Sequence, residues 1–530
     1  MKHIEIPYEQ ERDKTYRFFE ILPGALSWAI LALPVILSLI DPTIATLFIL
    51  VFILIFFTRA MAVTVRALAG YRMMREHEKL DWLELVREVE AGVVDEPEQH
   101  RPAWHHKNLL RLQQSKMVVR PNELVHAIIV AVHRESRDIV EPTIKSILDS
   151  NYDIKKNVLF VYAYEERGGP EVEKQARELT AKYAKYFKDA MCYKHPAGIP
   201  GEVKGKGSNI THAGRRLAAY VEKHGIDPMK VVVTTLDCDH RPHRQYLPAL
   251  SYMFCVSPDP LRAAYQPLQI FNNNIWDAPA PMRVIAAGNS HYYMVMTQRP
   301  HLQRNFAAHA QSLKALIDMD FWSMRTIVED GHHFWRSYFH FDGNYRVYPM
   351  AIPIYCDAVL SDTYWKTIKA QFQQLRRWTY GASDFPFIVS NGFFRKNKVP
   401  RADLIAKTLR HLEGHVHWAV GAILLALAAF IPTLLNPESY IAYMLPTTVS
   451  RIQTIGLVGI FASLFVALKT LPPRPLRYKR HRTIFMVLQW FYLPITNIVF
   501  SSLAALNSQT RLMFKRYLTV FDATEKSVKK

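Results

Sequence analysis

The chain has 530 residues, enough for more than one folding unit, with 49% hydrophobic residues and a formal net charge of +19. Such a charge suits nucleic acid or an acidic lipid surface, but the apolar residues are gathered in a few long blocks, which favours the lipid surface and argues against a nucleic-acid partner. Only four cysteines occur, with no Cys-x-x-Cys pair, so a disulfide framework and a cysteine-ligated zinc site are excluded and a reduced, cytoplasmic catalytic part is predicted.

Two apolar blocks follow a cytoplasmic N-terminal segment, residues 1–21, whose mixed charges are unlike those of a cleaved signal peptide. The blocks, 22–40 and 43–63, each approach the roughly 20 residues that cross a bilayer, so 22–64 predicts a transmembrane hairpin. Basic residues flank the hairpin on both sides and predict that both its ends are cytoplasmic. A charged helical pattern then predicts an amphipathic helical connector over 65–120.

The segment 121–395 reads as an α/β domain. Its first apolar strand leads into a polar turn that contains Glu135, and after a helix a second strand ends in Glu165 and Glu166. Strand, helix, strand with polar groups at the strand ends is the opening of a doubly wound nucleotide-binding sheet. The predicted fold class is therefore α/β, with a doubly wound, Rossmann-like mixed sheet in a cytosolic domain inserted between transmembrane α-helices.

A basic, glycine-rich sequence, KGKGSN, comes before the next predicted helix. It contains Lys204, Lys206, Gly207 and Asn209. Basic residues and glycines at the start of a helix suit a phosphate group, although a plain basic loop is an equal interpretation of this motif by itself.

The stretch KVVVTTLDCDH, residues 230–240, organises the domain. Its β-branched run predicts a buried strand, and because side chains alternate along a strand, Asp237 and Asp239 point to the same face where a parallel sheet opens its ligand crevice. Two carboxylates suit Mg²⁺ or Mn²⁺ that takes its other ligands from a phosphate-bearing substrate. An acidic turn after a strand is the alternative interpretation.

Two further motifs lie downstream. Glu329 and Asp330 precede two histidines, which we interpret as packed or hydrogen-bonded side chains. A predicted helix then carries Gln374, Arg377 and Trp378 on one face, where a guanidinium group could bind phosphate and an indole could stack on a sugar. Without other support, the commoner interpretation of Arg377 is a surface arginine on a packed helix.

The C-terminal part predicts an interfacial helix at 396–414, a transmembrane region at 415–508 and a basic cytoplasmic tail at 509–530. Three apolar blocks occupy the transmembrane region, at 415–435, 452–470 and 484–506. Three full spans would put the basic tail outside, contrary to the positive-inside tendency. Pro494 offers a resolution, because it predicts that the last block breaks into two short halves.

In this order the motifs resemble the membrane-embedded family-2 glycosyltransferases, which include cellulose and hyaluronan synthases. The resemblance covers the chain from about residue 124 to the tail. Each motif is a weak match by itself, and the specificity comes from their order along the chain. It implies a GT-A fold, a divalent cation (Mg²⁺ or Mn²⁺) and inverting transfer of a sugar from a nucleotide-diphosphate sugar, with a UDP-sugar as the expected donor. It also implies a multi-pass protein of the inner or plasma membrane with a cytoplasmic catalytic domain.

The resemblance also implies roles for residues. Asp330 would be the general base and Asp239 the metal ligand. The nucleotide-sugar side would be formed by Glu135, one of Glu165 and Glu166, Lys206 and Asp237, and the acceptor and pyrophosphate side by Glu329, Gln374, Arg377 and Trp378. The tail residues Phe521, Thr524 and Lys526 resemble the gating loop of cellulose synthases.

Three departures from the family pattern stand out. The usual Thr-Glu-Asp has Val328 in the first position, which removes a hydroxyl group and leaves the base. Glutamates stand at the nucleotide end where family members often have aspartates. The tail motif has Ala523 in place of valine and lacks the closing glycine, which weakens the prediction of processive gating.

Three functions remain in view. The first is synthesis of a β-linked polysaccharide, and the second is nonprocessive transfer of one sugar to a lipid or lipid-linked acceptor. The third, of a different class, is a nonenzymatic membrane sensor of nucleotide sugars. The expected partners are the donor, a glycan or lipid acceptor and the bilayer, while the sugar, the linkage and any partner subunit are left open by the sequence.

Overall fold

The structure is a computed structural model that describes residues 4–92, 101–115 and 117–519. Its strands belong to one sheet. They are β1 (Val125–Val132), β2 (Val158–Glu165), β3 (Asp189–His195), β4 (Val231–Asp237), β5 (Arg241–Pro242), β6 (Ala263–Phe271), β7 (Ala310–Ser312) and β8 (Arg346–Cys356).

Helices precede, cover and follow the sheet. The first ten are α1 (Lys14–Ile40), α2 (Pro42–His77), α3 (Trp82–Ala91), α4 (Ala103–Gln114), α5 (Arg137–Leu148), α6 (Ile154–Asn157), α7 (Pro170–Tyr183), α8 (Lys206–Lys223), α9 (Tyr246–Val256) and α10 (Ala280–Thr297). The others are α11 (Leu313–Asp318), α12 (Glu329–His340), α13 (Tyr364–Thr379), α14 (Asp384–Val389), α15 (Arg401–Leu427), α16 (Phe430–Leu435), α17 (Tyr440–Lys469), α18 (Arg482–Leu488), α19 (Leu493–Thr496) and α20 (Leu503–Met513).

The eight strands have the order β3-β2-β1-β4-β7-β6-β8-β5. The first four in this order are parallel, β7 is antiparallel to both its neighbours, and β6 and β8 are again parallel. In β1, β2 and β4 nearly every residue is buried, as expected for a parallel sheet covered on both faces. Their carboxyl ends lie at one edge, since Ala131 pairs with both Ala163 and Asp237.

Helices pack on both faces of this sheet. Residues of α3, α5, α7 and α9 share one hydrophobic core with it, and residues of α8 and α11 share a second core on the opposite face. The predicted fold class is thereby confirmed, because a doubly wound, mixed α/β sheet lies in a domain that apolar helices precede and follow. The domain boundaries proposed from the sequence stay predictions.

Four helical segments of the described chain are long and apolar enough to cross a membrane: Lys14–Ile40, Pro42–His77, Tyr440–Lys469 and Arg482–Met513. The first two contain the predicted hairpin. The predicted block at 415–435 is not in this set, because most of it lies in α15, where Glu413 and three histidines interrupt the apolar sequence. The helix α15 also runs through position 414, where the sequence placed the end of an interfacial helix.

The last apolar segment does not divide at Pro494. A 3₁₀ turn, Gln489–Tyr492, leads directly into α19, and a π-helical turn, Asn497–Ser502, leads directly into α20. Pro494 lies in the first turn of α19, where its missing N–H is not needed for an intrahelical hydrogen bond. The prediction of two separate short halves is therefore wrong.

The structure has two candidate spans on each side of the domain. With an even number of spans both chain ends lie on one side of the membrane, so the basic tail is no longer placed on the outside. The structure brings these ends together. The Tyr517 hydroxyl donates to Glu20 Oε2 at 2.9 Å, and Arg17 Nη2 donates to the carbonyl oxygen of Met513 at 3.0 Å.

Candidate active site

The site begins where β4 ends. Asp237 is the last residue of the strand, and Asp239 and His240 follow in a turn. One ligand atom from each of these three side chains lies within 4.8 Å of the other two. Carboxylate oxygens with an imidazole nitrogen form a donor set that suits Mn²⁺ or Mg²⁺, so an Asp-x-Asp site of the predicted kind is present. The sequence did not single out His240, although its place directly after the Asp-x-Asp motif was a signal.

Neighbouring strand ends fix the position of Asp239, which is buried. The backbone N–H of Asp357, just after β8, donates to Asp239 Oδ2 at 3.0 Å. The Asn273 amide, after β6, donates to the carbonyl oxygen of Asp239 at 3.0 Å. Asp357, more than one hundred positions away, therefore orients the carboxylate, and Asn273, more than thirty positions away, holds the backbone of Asp239; the sequence identified neither residue.

His240 faces Asp237 with both ring nitrogens. Its Nδ1 accepts a hydrogen bond from the backbone N–H of Asp237 at 3.1 Å, and its Nε2 lies 3.5 Å from Asp237 Oδ2. With Nδ1 as the acceptor, a neutral ring carries its proton on Nε2 and points it at this carboxylate. In this tautomer His240 holds Asp237 in place, and it can ligate a metal through Nε2 only if the ring proton moves to Nδ1, which breaks the hydrogen bond from the backbone of Asp237.

Lys206, the first residue of α8, reaches the same carboxylate. Its Nζ lies 2.6 Å from Asp237 Oδ1. Burial lowers the pKa of Lys206, but the charges of Asp237, Glu329 and Asp330 raise it, and the net pKa is above the ordinary value. The ammonium group therefore stays protonated among three carboxylates.

Close packing brings α8 to the Glu329–Asp330 turn. A Cβ atom on Gly207 would lie 2.6 Å from the carbonyl oxygen of Ser323 and 2.9 Å from Glu329 Cβ. Only glycine fits at this position, because any side chain would collide with these atoms. The motif KGKGSN therefore permits the close contact between α8 and Glu329, in addition to supplying positive charge.

Glu329 and Asp330 form the first turn of α12. Glu329 is buried, Asp330 is half-buried, and Asp330 Oδ1 accepts a hydrogen bond from the backbone N–H of Gly331 at 2.7 Å. Burial raises the pKa of Glu329, and the charge of Asp330 raises it further. Burial also raises the pKa of Asp330, against the lowering effects of Lys206 and Arg377. A carboxyl group with a raised pKa is suited to accept a proton in a reaction.

The helix α13 supplies the opposite wall. Arg377 lies close enough to Glu329 and Asp330 for its charge to lower both pKa values. The ring of Trp378 lies 6.2 Å from that of Phe271, at the end of β6, and the amide oxygen of Gln374 accepts a hydrogen bond from Gln371 at 3.1 Å. The shared face predicted for Gln374, Arg377 and Trp378 is thus half-buried along this wall.

Tyr293 of α10 also belongs to the site, and the sequence did not identify it. Burial raises its pKa well above the ordinary value, and the charges of Asp330 and Asp237 contribute to the rise. Its phenol group therefore stays protonated and can donate a hydrogen bond near both carboxylates.

The three glutamates at the other strand ends already have protein partners. Glu135 Oε2 accepts hydrogen bonds from the backbone N–H groups of His133, at 2.8 Å, and Arg134. Glu165 is buried and pairs with Arg167. Glu166 is exposed and accepts a hydrogen bond from the backbone of Ala197 at 2.8 Å. They lie along the same edge of the sheet, but these contacts direct Glu135 and Glu165 to their own turns and Glu166 to the loop after β3.

The two histidines after Asp330 are hydrogen-bonded core residues, as expected. His332 Nδ1 lies 2.7 Å from Asp384 Oδ1, and His333 Nε2 lies 2.6 Å from the amide oxygen of Gln311. Burial holds the pKa of His333 well below its ordinary value. These side chains anchor α12 and so position its first turn, which carries Glu329 and Asp330.

The tail residues Phe521, Thr524 and Lys526 lie outside the described residues. The part of the tail just before them is described and packs beside the site. Tyr517 and Leu518 contact a cluster that contains Val328 and Tyr380, and the backbone N–H of Leu518 donates to the Tyr380 hydroxyl at 3.3 Å.

Comparison with known proteins gives structural likenesses only: no family model matches the chain, and no curated protein matches its sequence. A mannosyltransferase from Pyrobaculum calidifontis, solved with GDP-mannose and Mn²⁺, is 15% identical, with 77% of this chain and 99% of that chain covered and a TM-score of 0.39. TarS 1–349 of S. aureus with UDP is 11% identical over 63% of this chain and 92% of that chain, with a TM-score of 0.33. GalNAc-T7 with UDP, GalNAc and Mn²⁺ is 9% identical, with 59% of this chain and 58% of that chain covered and a TM-score of 0.29.

The raised pKa of Glu329 predicts how stability depends on pH. The pKa of this carboxyl group is higher in the folded protein than its value of 4.5 in the unfolded chain. Its contribution to the free energy of unfolding is therefore complete below pH 4.5 and is lost as the pH rises through the pKa of the folded protein. We therefore expect Glu329→Gln to raise Tm near pH 8 by about 2 °C, roughly the effect of 1 kcal/mol in such a domain. The gain should vanish as the pH falls to about 4.5.

Thermal unfolding of the detergent-solubilised protein between these pH values measures this effect. Glu222→Gln, an exposed position on α8, is the matched control and should leave Tm unchanged at every pH. A Tm gain in Glu329→Gln that is the same at both pH limits would contradict the assignment of a raised pKa to this group.

Proposed function

We propose that the protein is an integral membrane glycosyltransferase that uses a nucleotide-diphosphate sugar, with a UDP-sugar as the expected donor, and inverts the anomeric centre. The observation that carries the proposal is the position of Lys206. Its ammonium group contacts Asp237 of the metal-ligating cluster at 2.6 Å and also acts electrostatically on Glu329 and Asp330. A candidate diphosphate site and a candidate base therefore share one cation.

The donor side is formed by Asp239, Asp237 and Lys206. A bound Mg²⁺ or Mn²⁺ would neutralise the negative charge that develops on the leaving diphosphate. Asp239, fixed through the backbone of Asp357, would hold that ion, and Lys206 is within reach to donate to a phosphate oxygen in place of Asp237. Arg377, on the opposite wall, supplies a second positive charge.

Asp330 is proposed as the base. The acceptor hydroxyl oxygen attacks the anomeric carbon, its proton moves to the Asp330 carboxylate, and the bond from that carbon to the diphosphate oxygen breaks with its electron pair on the diphosphate. Gly331 holds Asp330 Oδ1, so Oδ2 is the oxygen proposed to take the proton. Burial raises the pKa of Asp330, and the charge of Asp237 contributes to the rise, which suits this carboxylate to accept the proton.

The acceptor is proposed to approach along α13, next to the apolar helices. The Thr379 hydroxyl at the end of α13 lies 3.0 Å from the Ser508 hydroxyl of α20, and Ser508 also donates to the carbonyl oxygen of Arg376. The helix that carries Trp378 is thus bonded to a candidate membrane span. This contact supports an acceptor or product at the membrane, with the catalytic domain on the side of the basic loop and tail, the cytoplasmic side.

Loss of the base tests the reaction. We expect Asp330→Asn to lower the release of nucleoside diphosphate from a panel of nucleotide sugars by about 10²–10⁴-fold, because the amide cannot accept the hydroxyl proton. Membranes that contain the variant are compared with wild-type membranes at equal protein amounts. Asp362→Asn, an exposed aspartate ahead of α13, is the matched control. Equal release in Asp330→Asn and wild type would remove Asp330 as the base.

Loss of the metal tests the donor side. We expect chelation to abolish diphosphate release and added Mn²⁺ or Mg²⁺ to restore it, and Asp239→Asn to need at least about tenfold more metal, because it loses one charged ligand. Titration of Mn²⁺ by electron paramagnetic resonance follows binding without turnover. Asp259→Asn, which is exposed, should bind Mn²⁺ like the wild type. Full activity in the presence of chelator would contradict the proposed metal site.

Product size distinguishes the remaining functions. With a radiolabelled sugar, we expect material that grows with time, because the described start of the tail packs on Val328 beside the proposed base and α13 bonds to a candidate span, which together offer a growing product a route to the membrane. A single sugar on a lipid would support the nonprocessive alternative. Donor binding with neither diphosphate release nor labelled product would support the sensor.

A further inference from the structure

The loop between α14 and α15 presents two phenylalanine side chains at the surface of the protein. Phe393 is 40% exposed and Phe394 is 63% exposed. Two lysines that follow them, Lys396 and Lys398, are exposed as well. We refer to residues 393–398 as the surface loop. Neighbouring exposed aromatic side chains beside basic ones are typical of a surface that contacts a partner.

Hydrogen bonds hold the backbone of the surface loop in one conformation. The side-chain nitrogen of Asn397 lies 2.8 Å from the carbonyl oxygen of Asn391 and 3.0 Å from those of Gly392 and Arg395. The amide oxygen of Asn397 accepts a hydrogen bond from the backbone N–H of Val399 at 3.2 Å. Arg395 Nη1 donates to Asn391 Oδ1 at 2.9 Å. The loop is therefore ordered before any partner binds, which lowers the entropy cost of binding.

The surface loop lies beside the start of a candidate membrane span. The ring of Phe394 lies 6.0 Å from that of Phe19 in α1, which in turn lies 5.2 Å from the ring of the exposed Phe18. Phe19 precedes the apolar block 22–40 by three residues, a rise of about 4.5 Å along a helix. Phe394 is therefore at the level where α1 leaves the hydrocarbon core and passes through the lipid head groups.

The charge of this region favours an anionic partner. The segment 385–402 contains four basic residues and no acidic one. Two of them, Arg395 and Arg401, donate hydrogen bonds within the segment itself. The ammonium groups of Lys396 and Lys398 form no ion pair with any residue that the structure describes. These two charges are available to the phosphate groups of anionic lipids, which attract basic residues near a membrane surface.

We propose that the surface loop docks on the bilayer, with Phe393 and Phe394 inserted among the head groups and Lys396 and Lys398 in contact with anionic lipid phosphates. The phenyl rings supply buried apolar area, and the lysines supply electrostatic attraction, the two contributions that hold amphipathic segments on membranes. The proposal uses only the loop and the candidate span α1. It is therefore independent of the proposed sugar transfer.

A nitroxide label in the full chain tests the proposal. Phe393→Cys carries the label, which leaves Phe394 in place, and Cys192→Ser removes the cysteine that is not buried. Tyr186→Cys, at an exposed position before β3, carries the label in the control. Electron paramagnetic resonance measures how strongly oxygen, which concentrates in lipid, and a water-soluble nickel chelate relax each label. The protein is placed in nanodiscs of phosphatidylcholine alone or of phosphatidylcholine mixed with phosphatidylglycerol.

We expect oxygen to dominate at position 393 and the nickel chelate at position 186, with the difference largest in phosphatidylglycerol. Lys396→Gln with Lys398→Gln should lower the ratio of docked to free loop by about fivefold for each lysine removed. Phe394→Ser should also raise the access of the nickel chelate to position 393, because apolar area is lost. Lys174→Gln with Lys223→Gln removes two exposed charges from α7 and α8 and should change nothing.

Three results would overturn the proposal. The first is equal access of the nickel chelate to positions 393 and 186 in both kinds of nanodisc. The second is the same docking with and without phosphatidylglycerol, which would remove the anionic lipid as the partner. The third is protection of position 393 in detergent that increases with protein concentration, which would assign the loop to a contact with a second copy of the chain. Sugar transfer does not enter the measurement, so each of these results leaves the proposed function untouched.

Discussion

The ion pair between Lys206 and Asp237 is the interaction on which the candidate active site depends. One buried ammonium group compensates three carboxylates, those of Asp237, Glu329 and Asp330. Without it, burial of these acids next to one another would be strongly unfavourable, and they would take up protons or move apart. Burial raises the pKa of Asp330 and the charge of Lys206 lowers it, so the two halves of the proposed reaction share one cation.

The geometry of the sheet explains why this pair can form. The carboxyl end of β4 supplies Asp237, and the helix α8 starts at Lys206 on the same edge, as doubly wound sheets place their ligand crevices. Gly207 then lets the turn before α12 approach to van der Waals distance. A side chain at this position would push Glu329 away from Lys206. The electrostatic attraction between the ammonium group and this carboxylate would then weaken.

The apolar helices are connected to the domain by specific polar contacts. The helix α13 bonds to α20 near the acceptor side, and Asn272, at the end of β6, donates to the carbonyl oxygen of Thr470 after α17 at 2.8 Å. The adjacent residue Asn273 holds Asp239. The adjacent pair Asn272 and Asn273 therefore connects the end of a candidate span with the metal-ligating cluster.

The sequence by itself determined the strand and its Asp-x-Asp end, the α/β class and the apolar helices, because these follow from local periodicity, side-chain alternation and block length. Only the tertiary structure decided which distant groups complete the site: Asn273 and Tyr293 reach it through strand pairing and helix packing, which leave no local pattern. It also decided that Glu135 bonds to its own turn and Glu166 to the loop after β3, and that Pro494 lies in the first turn of a helix, where a proline does not interrupt it.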